Sequence, residues 1–280
     1  MKNIETTLDV PAAYPLSELE ALLPTLTYIN ILAAKTHADG ELIFEDSVLP
    51  QFAEKAGVLP LMTLSCTSPE AAHRLFSDRT GEFTEKLLAH TETGGYKGVS
   101  FSFLRVFPFD REKFTSFLEK CAAVLHERGI SAGSIVAPPC ALSLAAANDY
   151  RAQGTFLDRV NFLLSGCLYR KDSLQRRLSD DLISETLDFA RENIPPQKLA
   201  VTLADHGLVK TGDGETQVLP GALARSLHRD GAEYDTEKSC AEFFKKLTSL
   251  GVTGISIRPA GRADRMIFKV LSKRFDILKF

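Results

Sequence analysis

The sequence predicts an α/β fold, a (β/α)8 TIM barrel, formed as a single domain over residues 1–280. Three observations carry this expectation. The length of 280 residues suits one such barrel, whose usual size is about 250 residues. Short apolar runs rich in Val, Ile, Phe and Thr alternate with amphipathic segments, the signature of repeated βα units around a parallel sheet. Gly57, Gly129 and Gly251 each stand just past a helical pattern and just before a strand pattern, where a left-handed C-cap favours a residue without Cβ.

In chain order, strands are predicted near Thr6 to Val10, Tyr28 to Leu32, Leu59 to Leu64, Gly98 to Phe103, Ser131 to Val136, Arg159 to Leu164, Leu199 to Leu203 and Gly254 to Ile257. Helical spacing of apolar residues covers Leu16 to Leu23, Ser47 to Ala56, Thr80 to Thr91, Arg111 to Arg128, Asp172 to Asn193 and Ala241 to Leu250. Ile194-Pro195-Pro196 stops its helix, because proline cannot continue the hydrogen-bond ladder. Lys210 to Gly221 is turn-rich and reads as a surface loop.

Composition narrows the function. A formal charge of -3 offers no general attraction to nucleic acid or anionic membrane, so neither partner is expected. No run approaches the ~20 apolar residues of a membrane span, and the amino terminus lacks a signal-peptide core, which predicts a cytoplasmic chain. Five cysteines without a Cys-x-x-Cys pair read as reduced thiols. The histidines lack ligand spacing, so no metal is expected, and no motif calls for a cofactor.

The segment Gly95-Tyr96-Lys97-Gly98-Val99-Ser100-Phe101-Ser102-Phe103-Leu104 resembles the fourth barrel strand of glycoside hydrolase family 18, the chitinase-like enzymes. That strand reads Gly-[Tyr/Phe]-Asp-Gly-[Val/Leu]-Asp/Asn-hydrophobic-Asp-[Phe/Trp]-Glu. Other stretches follow the spore-cortex and peptidoglycan-lytic branch in order. They are Leu26-Thr27-Tyr28-Ile29-Asn30 with Asp39-Gly40-Glu41, Asn148-Asp149-Tyr150 before Leu157-Asp158-Arg159-Val160, Ile194-Pro195-Pro196, Glu233-Tyr234-Asp235, and Gly254-Ile255-Ser256 through Gly261-Arg262-Ala263-Asp264.

The resemblance implies the same barrel, and a mechanism in which the final Glu protonates the glycosidic oxygen while the substrate acetamide attacks, steadied by the Asp two residues earlier. Here the acidic positions fall on Lys97, Ser100, Ser102 and Leu104. The acetamide-holding tyrosine of the sixth strand aligns with Ser165, and the tryptophan closing the eighth strand aligns with Arg258, in a chain without tryptophan. Losing acid and stabiliser together removes the ~10²- to 10⁴-fold that acid catalysis supplies. The resemblance therefore points to a pseudo-glycosidase that binds a ligand or carbohydrate.

Residues at the C-terminal ends of barrel strands meet the loops that build active sites. This selects Arg105, Ser165, Tyr169, Asp205, His206 and Arg258 as a candidate ligand-binding mouth, with Cys66 and Cys140 near it as small buried residues. Arg105 is expected either to bridge Asp110 or Glu112 or to line a pocket. Arg105, Arg258 and His206 together favour a small anionic ligand over a neutral sugar. Asp205 and His206 are alternatives for a relocated acid and base, although adjacent strand residues point to opposite faces. An active hydrolase on N-acetylglucosamine-containing cell-wall or chitin-like polymers, using Asp205, and a structural or partner-binding barrel remain as alternative functions.

Overall fold

The computed structural model describes residues 2–37, 39–78, 80–165, 177–210, 215–227 and 232–280. Its centre is a closed barrel of parallel strands: β1 (Lys2–Pro11), β2 (Tyr28–Thr36), β3 (Leu59–Cys66), β4 (Gly98–Phe103), β5 (Ser131–Val136), β6 (Arg159–Leu163), β7 (Leu199–Lys210) and β8 (Gly254–Pro259). Each pairs in parallel with the next, and β8 returns to β1, so that eight ladders close the ring. Helices between the strands cover the outside, as the alternating pattern predicts.

The glycine punctuation holds where a helix turns back into a strand. Gly57 and Gly129 sit at φ 69° and 68°, the left-handed region that a Cβ disfavours. Two expectations need correction. The helix expected from Asp172 begins at Asp180, where the Ser179 side chain accepts from the Leu182 N–H and Asp180 and Asp181 fill the first turn. Arg177 instead forms an antiparallel bridge with Ser165, and residues 172–176 lie outside the described residues. The expected loop from Lys210 to Gly221 is in part a hairpin, because β7 runs on to Lys210 and Thr216–Pro220 pairs antiparallel with it.

The facing of β4 decides how the barrel interior is lined. Phe101 and Phe103 are buried, and their rings meet outer-helix aromatics. Phe101 lies 6.2 Å from Phe117, and Phe103 lies 5.6 Å from Phe114 and 5.8 Å from Phe76. Alternation along a strand then turns Ser100 and Ser102 to the barrel interior. Their partners in register, Thr63 and Ser65 of β3, share that face.

At the N-terminal end the interior is closed by a charged floor. Arg159 of β6 pairs with Glu5 of β1 and lies 4.5 Å over the Tyr28 ring, and the Tyr28 hydroxyl donates to Glu5 at 3.3 Å. Gly254 faces these groups, and a Cβ there would stand 3.2 Å from the Arg159 guanidinium.

The facing of β4 predicts unequal costs along one strand. Phe101→Ala should destabilise by roughly 3–5 kcal/mol, whereas Ser102→Ala should leave the chemical-denaturation midpoint almost unchanged. Equal losses in the two variants would place the phenylalanines elsewhere.

Candidate functional site

Above the floor, the interior is polar and is organised around an aspartate that the sequence reading passed over. Asp9 of β1 is 7% exposed. Its Oδ1 accepts from Ser256 Oγ at 2.6 Å and from Asn30 Nδ2 at 3.2 Å, while Oδ2 accepts from Arg258 Nη2 at 3.0 Å and Nε at 3.3 Å. The guanidinium grips one carboxylate oxygen with two donors, a charge-assisted arrangement that holds the Arg258 head at the mouth. A signal for Asp9 was present, since Leu8-Asp9-Val10 sets a lone acid between two apolar strand residues. In a barrel that pattern turns the acid inward.

Around Asp9 the lining is mixed, with Leu61, Ile135 and Leu163 turned inward in register beside hydroxyl and amide groups. Thr7, Thr63, Ser65, Ser100 and Ser102 face inward by register, and Thr202 Oγ1 donates to Asn161 Oδ1 at 2.9 Å. The amide oxygen of Asn30 is buried and accepts no hydrogen bond among the described residues, so it can take a donor from a ligand or from water. Such donors and acceptors are of the kind that can meet hydroxyl and amide groups. Among the described residues that line the upper interior, Asp9 is the carboxylate, and both of its oxygens are engaged.

The predicted mouth residues separate into groups. Arg258 and His206 are inward by alternation along β8 and β7, and Ser165 is buried just beyond β6. Leu104 follows β4 half-buried, and Arg105 beside it is exposed. Arg105 does not bridge Asp110, whose carboxylate receives His73 instead. Lys97 precedes β4 at the opposite end of the barrel and pairs with Glu54 at 2.7 Å, far from the mouth by the strand's direction. Cys66 ends β3 on its outer face and donates to the Ser68 carbonyl at 3.4 Å, and Cys140 is exposed in the loop after β5. Tyr169 lies outside the described residues.

Asp205 departs most from expectation. Because β7 continues through it, Asp205 and His206 take opposite faces, and Asp205 turns outward. Its Oδ2 accepts from the Asp264 backbone N–H at 2.6 Å, and a Cβ on Gly221 would lie 2.2 Å from Oδ1, so only glycine admits this approach. Burial pushes the carboxyl up to about 7, and the Asp264 and Asp235 carboxylates add to the rise, while the Asp264 N–H and the Arg225 charge oppose it. The same group that could donate a proton near neutrality therefore points away from the interior.

A glycoside hydrolase family 18 chitinase of Flavobacterium johnsoniae superposes with a TM-score of 0.77 at 15% identity, covering 98% of this chain and 94% of that one. The fold is that of the family 18 chitinases. A spore cortex-lytic enzyme of Bacillus cereus gives a TM-score of 0.85 at 20% identity over 99% of this chain and 76% of that one. A chitinase of Chromobacterium violaceum gives 0.80 at 15% identity over 96% and 98%. In sequence, the chain is 23% identical to a cortical fragment-lytic enzyme of Bacillus anthracis across 96% of its own length and 74% of that relative. No family model matches the chain. At these identities the family 18 likeness carries architecture, and the chemistry must come from the side chains.

The buried Asp205 predicts a pH dependence. Its folded pKa of about 7 exceeds the ordinary 3.8, so the folded state holds the proton more tightly. Its contribution is full below about pH 4 and is lost as pH rises towards 7, up to on the order of 4 kcal/mol. Asp205→Asn should flatten the denaturation midpoint across that window and be the more stable form above it. A wild-type midpoint that rises through the window would reverse the sign.

Proposed function

We propose that this chain is a family 18-type barrel that binds an N-acetylglucosamine-containing glycan in its mouth without hydrolysing it. The observation that carries the reading is the C-terminal end of β4. Ser102 faces inward there and Leu104 follows it, at the positions where the resemblance expects the stabilising carboxylate and the proton donor. A serine cannot balance a developing cation, and a leucine cannot protonate a leaving oxygen. Asp205, the carboxyl that could substitute, is turned towards Gly221 and Asp264.

The lining supports binding of a polyhydroxyl, amide-bearing ligand. Serine and threonine hydroxyls, the Asn30 amide and the Asp9 network offer both donors and acceptors, as small-molecule sites require for orientation. Arg258 has its charge met by Asp9, which takes away one of the two cations on which an anionic preference rests. Arg105 stays exposed just beyond β4. The lytic names of the similar proteins describe those proteins; for this chain the shared fold supports a related class of ligand.

Turnover tests the proposal. Hydrolysis of chitooligosaccharide reporters at neutral pH should equal the no-protein control, and the double replacement Ser102→Asp with Leu104→Glu should not restore it, because Ser165 and Arg258 still stand in place of the tyrosine and tryptophan. Hydrolysis by the wild-type chain that Asp205→Asn abolishes would establish the hydrolase reading instead.

A further inference from the structure

The segment that leaves the end of β4 carries an arrangement unrelated to the lost acid. Phe109 is 72% exposed, a large ring left in water where burial would gain roughly 1.5–3 kcal/mol. The ring is nevertheless held in place. It stacks on Phe107 with centroids 5.0 Å apart and planes 13° from parallel, and its edge meets His73 at 5.7 Å and 76°. Phe107 backs one face of Phe109, and the other face is open.

His73 is itself oriented. Its Nδ1 lies 2.7 and 2.9 Å from the two oxygens of Asp110, whose side chain is buried while the imidazole is 42% exposed. A carboxylate on Nδ1 makes that nitrogen the donor and leaves Nε2 as the ring atom available to a ligand. Asp110 follows Phe109 directly, so one short segment supplies both the open ring and the carboxylate that orients the imidazole beside it. Tying the start of helix Arg111–Glu127 to helix Pro69–Asp78 accounts for the His73–Asp110 contact, but not for a stacked phenylalanine kept in solvent.

We propose that Phe109, backed by Phe107 and edged by His73, is a stacking platform for a pyranose ring of a glycan that runs outward from the barrel mouth. This rests on the glycan-binding reading above. One face of a pyranose presents C–H bonds of slight positive polarity, which suit the electron-rich face of the phenyl ring, while its hydroxyls spread sideways to where Nε2 stands. Phe109 is five residues beyond Leu104, a reach of at most ~17 Å. On this proposal a ligand of one or two sugar units seated in the interior leaves the platform empty, and a longer one occupies it.

The chain has no tryptophan, so Phe109→Trp introduces a single indole at the platform. A hexamer of N-acetylglucosamine should shift its emission, and a dimer should not. By calorimetry, Phe109→Ala should weaken the hexamer roughly 3- to 10-fold, with dimer affinity and the thermal midpoint unchanged, since the ring is exposed. If the hexamer binds wild type and Phe109→Ala equally and leaves the indole unchanged, the platform is wrong and the glycan reading stands. If neither oligomer binds the wild-type chain, both fall.

Discussion

The facing of β4 is the constraint on which the rest depends. Phe101 and Phe103 are anchored outward by Phe76, Phe114 and Phe117, and a slip of one residue would expel both rings from the outer layer and drive them into the barrel. That anchoring commits Ser100 and Ser102 to the interior and delivers Leu104 to the mouth. Ser102 and Leu104 therefore stand at the inner, C-terminal end of the strand and not on its helix-facing side.

Charge at the mouth is tied into the barrel wall. Asp9 spans β1, β2 and β8 through Asn30, Ser256 and Arg258, so its carboxylate knits strands together at the level where a ligand would enter. Breaking such a pair from one side leaves a desolvated charge, which is costlier than never having built it. Asp9 and Arg258 thereby gain a structural role that leaves hydroxyls and amides as the groups free to meet a ligand. On the other side of β7, Asp205 joins Asp264 and Gly221 and secures the return from the hairpin. The two aspartates lie on opposite faces of the barrel wall, Asp9 inward and Asp205 outward.

Much of the barrel was legible in the sequence because its signals are local. Strand apolarity, helical spacing and the left-handed glycines at 57 and 129 act within a few residues, and the order of weak motifs placed β4 in register. What escaped required longer range. Asp9 gains meaning only when β8 closes on β1, some 247 residues away in sequence. The extension of β7 past Leu203, which sends Asp205 outward, depends on Thr216–Pro220 pairing with it. The start of the helix at Asp180 was obscured because an apolar pattern continues upstream of the Ser179 cap. His73 meets Asp110, 37 residues on, only where the fold brings their two segments together.

Binding without cleavage can be read by injecting a six-unit N-acetylglucosamine oligomer into the wild-type chain in a titration calorimeter. Saturable heats are expected, each returning to baseline as the site fills, with the oligomer recovered intact from the cell. Heat that persists after each injection as product accumulates, or no heat at all, would contradict it.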